Sequence, residues 1–379
     1  VFHYNPTRQP TLVRENELRI VRRLPVAGEV HVKVGERVEA STLVATGMQI
    51  PPTTFVNVSR DLGIEPSTAE ARLVKEVGQP VNEGEVIARR RRGLRNLTVR
   101  TPVAGTFVRF DPLLGTALIR PPAARIELPA YVGGVIEEVE LTRGVTIRTF
   151  GSRFYGAFGV GDEAFGVLKV VGGDRQRPLG ADLIDNRAAR AILAVGGTVN
   201  AAALNKAAQV GVRGIIAGSI EESELVSWLG VKDSALWRVG LPSWQIPTAE
   251  GPLTLVITEG FGRAAMAGPL YDVLAAADGM QSAVSGLTRL SGGLRRPEVV
   301  VLSRSAGRSG DDMTLPIASL EPGTAVRLLD HDHLGVLATV FAAPRRQRLE
   351  GDLLTDAVTV TLPSGEQMHL PTANVEALI

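Results

Sequence analysis

Val34-Gly-Glu-Arg-Val-Glu-Ala-Ser-Thr-Leu-Val-Ala45 and Val77-Gly-Gln-Pro-Val-Asn-Glu-Gly-Glu-Val-Ile-Ala88 align without a gap. Both read Val-Gly-x-x-Val, and both close on an apolar pair ending in Ala. Glycine supplies the positive φ of a tight turn, and the β-branched residues around it suit a pleated, half-buried surface. Each copy therefore predicts a short strand, a turn and a second short strand. A further repeat frames this one. Pro-Val-Ala-Gly occurs at Pro25 to Gly28 and at Pro102 to Gly105, and a looser copy, Pro129-Ala-Tyr-Val-Gly133, runs into Val135 and Val139. Self-similarity at this scale points to a repeated β architecture in the N-terminal third.

This pattern resembles the biotinyl/lipoyl-like barrel-sandwich family over residues 18 to 120. The resemblance implies two quasi-symmetric halves of one barrel and a carrier lysine in the hairpin after the first half. The corresponding stretch is Gly47-Met48-Gln49-Ile50, and the Gln49 amide cannot accept biotin or lipoate. The fold is expected without the swinging arm, and no cofactor is expected.

Residues 126 to 175 continue as an additional β module, with Val145-Thr-Ile-Arg-Thr149 alternating. Gly156-Ala-Phe-Gly-Val-Gly161 reads as β-turns, because the strand Phe165 to Val171 follows it rather than a helix. From Pro178 the period changes. Ala191 to Val195, Arg213 to Ala217, Leu253 to Ile257, Gln281 to Val284 and Val299 to Leu302 read as strands. Asn200 to Val210, Glu221 to Leu229 and Ala264 to Ala277 read as helices, the last the longest. That alternation predicts a small three-layer, Rossmann-like α/β domain with a largely parallel sheet. Ser303 to Asp312 has the composition of a linker. Beyond it, Leu320 to Leu329, Gly335 to Val340 and Ala357 to Leu362 resemble a KOW-type SH3-like barrel, with Gly335-Val-Leu-Ala338 where that family has G-x-x-G.

The expected fold class is thus multi-domain α+β. Its parts are a barrel-sandwich domain at 1–125, a β module at 126–175, an α/β domain at 176–303, a linker at 304–313 and the barrel at 314–379.

Composition narrows function mainly by exclusion. Without cysteine there is no disulfide framework and no thiolate chemistry. With 41 Lys+Arg against 40 Asp+Glu, any attraction to nucleic acid or anionic lipid must come from a local patch. The longest apolar runs fall far short of a membrane span, and Val1 to Thr11 carry no signal-like apolar core, so a cytoplasmic location without membrane insertion is expected.

The sharpest ligand candidate is Gly260-Phe-Gly-Arg-Ala-Ala265, a G-x-G-x-x-A between a strand and a helix, where backbone amides could face an anion. Glu259, expected exposed at the mouth of that turn, completes a candidate ligand set with Gly196, Gly197, Gly218, Gly260 and Gly262. Asp330-His-Asp-His333 has metal-ligand residue types, but no distant third ligand accompanies it, so it reads as a solvated loop and no metal is expected. Arg89, Arg90, Arg91, Arg92 and Arg95 form an interaction patch, with no acidic residue from Arg89 through Arg109 and only Phe107 and Phe110 as aromatic neighbours. Glu137, Glu138 and Glu140 offer a complementary acidic cluster.

No catalytic residues are nominated, and the sequence leans away from an enzyme. The reading taken is a non-enzymatic scaffold that forms a homo-oligomer or larger assembly, or binds a protein partner. The alternatives are a nucleotide- or phosphate-binding protein using the α/β domain, and an RNA- or ribosome-associated KOW protein. Nucleic acid is possible as a partner but not favoured.

Overall fold

The computed structural model describes residues 12–92, 95–230, 253–288, 296–303, 320–330, 333, 335–349 and 354–377. It is 50% strand and 15% helix, a mostly β, multi-sheet α+β protein. No helix among the described residues is long and apolar enough to cross a membrane.

The chain opens on β1 (Leu12–Arg23), β2 (Gly28–Val30), β3 (Arg37–Val38) and β4 (Leu43–Gln49). It then builds a second group: β5 (Thr54–Asn57), α1 (Val58–Leu62), α2 (Pro66–Ala69), β6 (Pro80–Val81), β7 (Val86–Arg92), β8 (Arg95–Arg100), β9 (Gly105–Asp111) and β10 (Thr116–Arg120). It returns to the first group with β11 (Ala124–Pro129), β12 (Gly134–Glu140) and β13 (Gly144–Tyr155).

The two Val-Gly copies are one hydrogen-bonded structure made twice. Glu36 N–H donates to Lys33 O and Thr42 N–H to Glu39 O in the first; Gln79 N–H donates to Glu76 O and Glu85 N–H to Asn82 O in the second. Side chains follow suit. The Glu36 carboxylate accepts from Lys33 N–H as the Gln79 amide oxygen does from Glu76 N–H. The framing glycines have a steric cause. A Cβ on Gly28, Gly105 or Gly134 would lie 2.1, 2.3 or 2.5 Å from a carbonyl oxygen of the neighbouring strand, so only glycine fits where these strands begin. In the loose third copy Gly134, not Gly133, holds that place.

The copies do not face each other across one barrel, as the sequence had suggested. The first packs Leu18, Ile20, Val44, Tyr131, Ile136 and Ile147 into one core, and the second packs Val56, Leu62, Ile87, Phe107 and Ile119 into another. The second is nested in the first. β4 pairs directly with β11, Gln49 opposite Ala124, so residues 50–123 leave and re-enter between adjacent strands. Gln49 therefore stands at the root of an inserted unit and not at a hairpin tip.

The central part runs β14 (Phe158–Val160), β15 (Glu163–Val170), β16 (Ile192–Val199), α3 (Ala201–Val210), β17 (Gly214–Ile220), α4 (Glu222–Leu229), β18 (Thr254–Phe261), α5 (Gly268–Ala276), β19 (Gln281–Ser285) and β20 (Glu298–Leu302). The Asn200 side chain caps α3 by accepting from Ala203 N–H, and Gly211 ends it in the left-handed region. Alternate residues of the buried strands divide between two cores. Leu193, Val195, Ile215 and Leu255 pack with α3 and α4, whereas Ile192, Ala194, Ile216 and Val256 pack with Leu270 and Leu274 of α5.

Two expectations are corrected here. Only β15 to β18 are parallel; β14, β19 and β20 are antiparallel to their neighbours, so the sheet is mixed. The helix expected over Ala264 to Ala277 begins at Gly268, because Pro269 belongs in a first turn, and α5 is shorter than α3. Within Gly156 to Gly161, read as turns, Phe158–Val160 forms the edge strand β14.

One eleven-stranded sheet runs in the order β14-β18-β17-β16-β15-β19-β20-β13-β12-β3, with β1 on β13. Strand pairing also crosses the expected boundaries at 125 and 175, the first of them in a separate three-stranded sheet of order β11-β4-β2. β11 joins β4 across position 125, and β15 joins β16 across position 175. The linker expected at 304–313 lies outside the described residues. The C-terminal part, β21 (Ala325–Leu328), β22 (Leu337–Arg348), β23 (Leu354–Thr361), β24 (Gln367–Pro371) and β25 (Val375–Ala377), is a five-stranded antiparallel sheet over its own core of Val326, Leu328, Val340, Val358 and Val360.

Two ion clusters tie these parts together. Arg22 of β1, only 7% exposed, grips Glu163 of β15 through two hydrogen bonds of 2.7 and 2.6 Å and lies over the Tyr131 ring. Arg296 and Arg327 hold Glu376 of β25 between them. Arg327 also donates to Thr258 O of β18, and Arg296 to Gly156 O, so this cluster docks the C-terminal sheet. Burial alone would raise the Glu376 carboxyl, but the two guanidiniums outweigh it and hold the group below the usual carboxylate range.

A depressed folded value means that this stabilisation is complete above the unfolded carboxylate value of about 4.3 and is lost as pH falls through the lowered one. Hydrogen exchange in β21 and β25 should therefore stay slow down to about pH 4 and accelerate below it. Glu376→Ala, which leaves two buried guanidiniums without their anion, should cost about 3–5 kcal/mol in denaturant titrations of this part at neutral pH.

Candidate functional site

Ligands of open α/β sheets sit beyond the carboxyl ends of the strands, and that is where the candidate glycines converge. A Cβ on Gly196 or Gly197 would meet the backbone of Arg175 or Arg177 at 2.3 or 2.5 Å. One on Gly218 would lie 2.5 Å from Gly196 O and 2.6 Å from Met266 N. One on Gly260, whose φ is +121°, would lie 2.0 Å from Gly335 O. Each close approach is made by the chain's own backbone.

The segment between β18 and α5 explains how. Gly262 N–H donates to Ile220 O, Met266 N–H to Gly196 O, and Arg175 Nη1 to Met266 O, which lays residues 262–267 across the strand ends. The turn at Gly335 covers the rest. Its carbonyl accepts from Phe261 N–H at 2.9 Å, beside Phe158 and Phe261, whose ring centroids are 4.5 Å apart. Of the five candidate glycines, Gly262 alone has open space around it, with φ +117°.

Glu259 is buried rather than exposed. One carboxylate oxygen accepts from Ala267 N–H at 2.8 Å and from the Thr258 hydroxyl at 3.1 Å, so the group fixes the entry to α5. The G-x-G motif and its acid thus serve a strand-to-loop closure. His331 and Asp332 lie outside the described residues. His333 Nδ1 is 2.6 Å from Asp330 Oδ2, and no group of three or more His, Cys, Asp or Glu side chains among the described residues is arranged to hold a metal.

The arginine patch forms a two-stranded antiparallel ribbon. Arg89 faces Thr98, Arg91 faces Asn96, Arg90 faces Leu97 and Arg92 faces Arg95. Opposed residues share a face, so the ribbon has two sides. Ala88 and Val99 on one side are buried, and Arg90 beside them donates to Leu62 O and Gly63 O at 3.0 and 2.7 Å at the end of α1. On the other side Arg89, Arg91, Asn96, Thr98 and Arg100 are all exposed. Phe107 and Phe110 are core residues and offer no stacking surface. The acidic cluster is already engaged: Glu137 pairs with Arg19, Glu140 with Arg23, and Glu138 accepts from the Thr146 hydroxyl.

A feature the sequence reading missed is an open cleft of about 490 Å³ between α1, α2 and the root of the ribbon, lined by Ser59, Arg60, Ile64, Glu65, Thr68 and Arg90. Its hydroxyls are occupied, Ser59 donating to Asn57 Oδ1 and Thr68 to Glu65 O. Asn57 as an N-cap and Gly63 as a C-cap are the start and stop signals that mark α1 in the sequence.

No protein-family model matches the chain, and no curated protein is significantly similar to it.

The crowding at Gly260 has a measurable consequence. Gly260→Ala and Gly262→Ala both force a side chain into positive φ, at about 1–3 kcal/mol each. Only the first also drives a Cβ into a backbone carbonyl. Chemical denaturation should find Gly260→Ala the more destabilising by about 1–3 kcal/mol, the typical cost of overpacking.

Proposed function

We propose that the chain is a non-enzymatic, cytoplasmic scaffold that presents β surfaces for self-association or for a protein partner. In this reading each N-terminal repeat builds its own β unit of barrel-sandwich type, without a carrier lysine, and the C-terminal sheet is a KOW-like SH3 barrel. The observation that carries it is the closed crevice. The place where an α/β sheet would take a nucleotide is filled by residues 262–267 and by the Gly335 turn, and Glu259 has its hydrogen bonds within the chain. Exposed apolar side chains give the assembly reading its physical basis. Phe55 stands on β5, an edge strand, at 68% exposure, and Met48 and Ile50 are exposed just before it.

Light scattering at low and high salt, with a thermal-shift screen of nucleotides and inorganic phosphate, tests the proposal. The expected result is a particle larger than the 40.2 kDa chain and no ligand-induced rise in melting temperature. A monodisperse monomer at micromolar concentration removes the assembly reading, and a clear shift with a nucleotide favours the ligand-binding alternative. Intact mass of native material should show no biotin or lipoate addition.

A further inference from the structure

We infer, on the scaffold reading above, that the outer edge of β1 is the self-association surface, where two copies of the chain add their β1 strands edge to edge about a two-fold axis. β1 pairs with one strand, β13, and at twelve residues is the longest edge strand among the described residues. The bond just past its end fixes which groups face out. Leu24 N–H donates to Arg143 O in continuation of the β1–β13 register, so the even-numbered residues of β1 turn their main chain toward β13. Arg19, Val21 and Arg23 turn theirs the other way. Their main-chain groups make no hydrogen bond among the described residues, and all three residues are exposed, Val21 at 56%.

The rest of this edge, and others like it, are protected. Register shifts between Val13 and Asn16, the Ser152 hydroxyl takes Glu15 N–H, and the Asn16 side chain takes Glu17 N–H. On β14 both main-chain groups of Gly159 are bonded to Thr288, while β3 has two residues and β5 four. Bulges, covering segments and short strands are how sheets avoid edge-to-edge pairing, and the stretch from Arg19 to Arg23 has none of them.

Symmetry and charge select a second copy as the occupant. A two-fold ladder must set outward-facing residues opposite outward-facing residues, so on this stretch it centres on Arg19, Ile20 or Val21. Centring on Arg19 opposes that residue to its own mate, and centring on Val21 opposes Arg19 to the partner's Arg23. A centre at Leu18 runs into the bulge. Centring on Ile20 sets Arg19 opposite the partner's Val21 and Glu17 opposite the partner's Arg23, with no like charges facing. In that register Arg19 and the partner's Val21 exchange both main-chain hydrogen bonds, the exposed Val21 side chain lies along an arginine stem, and the Asn16 cap ends the ladder. Glu17 and Arg23 already have surface partners in Arg148 and Glu140, so the crossing charges set the register while the main chain and Val21 supply the affinity.

The test uses the full chain, which has no cysteine of its own. Opposed residues of a hydrogen-bonded pair have Cα atoms about 5.5 Å apart, within disulfide reach, whereas in this register Arg19 or Val21 lies about 8–9 Å from its own symmetry mate, beyond reach. Oxidising an equimolar mixture of Arg19→Cys and Val21→Cys should therefore give a covalent dimer that neither variant gives alone. Val21→Pro removes an outward N–H, a change that edge strands tolerate, and should weaken self-association at least about tenfold in light scattering with melting nearly unchanged. If that variant melts early, the cross-link decides. A covalent dimer from either cysteine variant alone, none from the mixture, or an assembly that a well-folded Val21→Pro leaves intact overturns the inference. A wild-type monomer removes it together with the scaffold reading, and an assembly without the mixed cross-link removes it alone.

Discussion

The sharing of strand β13 is the constraint on which the rest of the architecture depends. One edge of this twelve-residue strand pairs along its length with β1, from Gly144 opposite Arg23 to Phe154 opposite Leu12. The other edge is divided, β12 taking residues 144–148 and β20 taking residues 151–155. The N-terminal β unit and the α/β unit are therefore halves of one hydrogen-bonded sheet, not beads on a linker. Close packing along β13 demands glycine at Gly151, where a Cβ would lie 2.2 Å from Val301 O. The Arg22–Glu163 pair reinforces the same seam, joining β1 to β15. Such a half-buried pair is weak support for net stability, but it fixes which strands come together, because Arg22 alone would be a buried, uncompensated charge.

A continuous sheet also decides what the strand ends can do. In an isolated α/β domain the crevice beyond them is open. Here the C-terminal sheet is docked by Arg296, Glu376 and Arg327 and brings the Gly335 turn onto Gly260 and Phe261. The same glycines that would let a phosphate approach let a carbonyl approach instead. Architecture, rather than motif, determines which of the two occupies the space.

This ambiguity explains what was legible in the sequence and what was not. The strands from Ile192 to Leu302 and the helices after Asn200 and Glu221 follow from apolar period and caps, which are local. Gly260-Phe-Gly262 carries no local mark telling an external anion from an internal carbonyl, so its role could not be read. Pro269 could have been: a proline there places the helix start at 268 and leaves residues 262–267 as a loop free to fold back. The Val-Gly repeat was fully visible, but nesting is a long-range property. Nothing between Gln49 and Ala124 announces that the two are neighbours, and only the pairing of β4 with β11 makes the second copy a separate unit. The orientation of Glu259 was lost for a similar reason, since its partner Ala267 becomes a neighbour only once the loop closes.

Nesting has a mechanical consequence for the arginine ribbon. A unit attached through one flexible linker is free to reorient, and its contacts with a large partner must first overcome that freedom. Residues 50–123 are attached at both ends, and those ends, Gln49 and Ala124, are opposed on adjacent strands of one sheet. The unit has its own core, with Val56, Leu62, Ile87 and Phe107 buried, and the ribbon is anchored to that core through Ala88, Val99 and Arg90. The cationic face is thus fixed first to its unit, and the unit to the three-stranded sheet of β11, β4 and β2. In the corresponding position of the first copy, where β4 and β11 diverge, the same sequence pattern carries an entire domain instead of a charged ribbon. The repeat supplies a rigid pair of strands, and what each copy does is set by what is mounted on them.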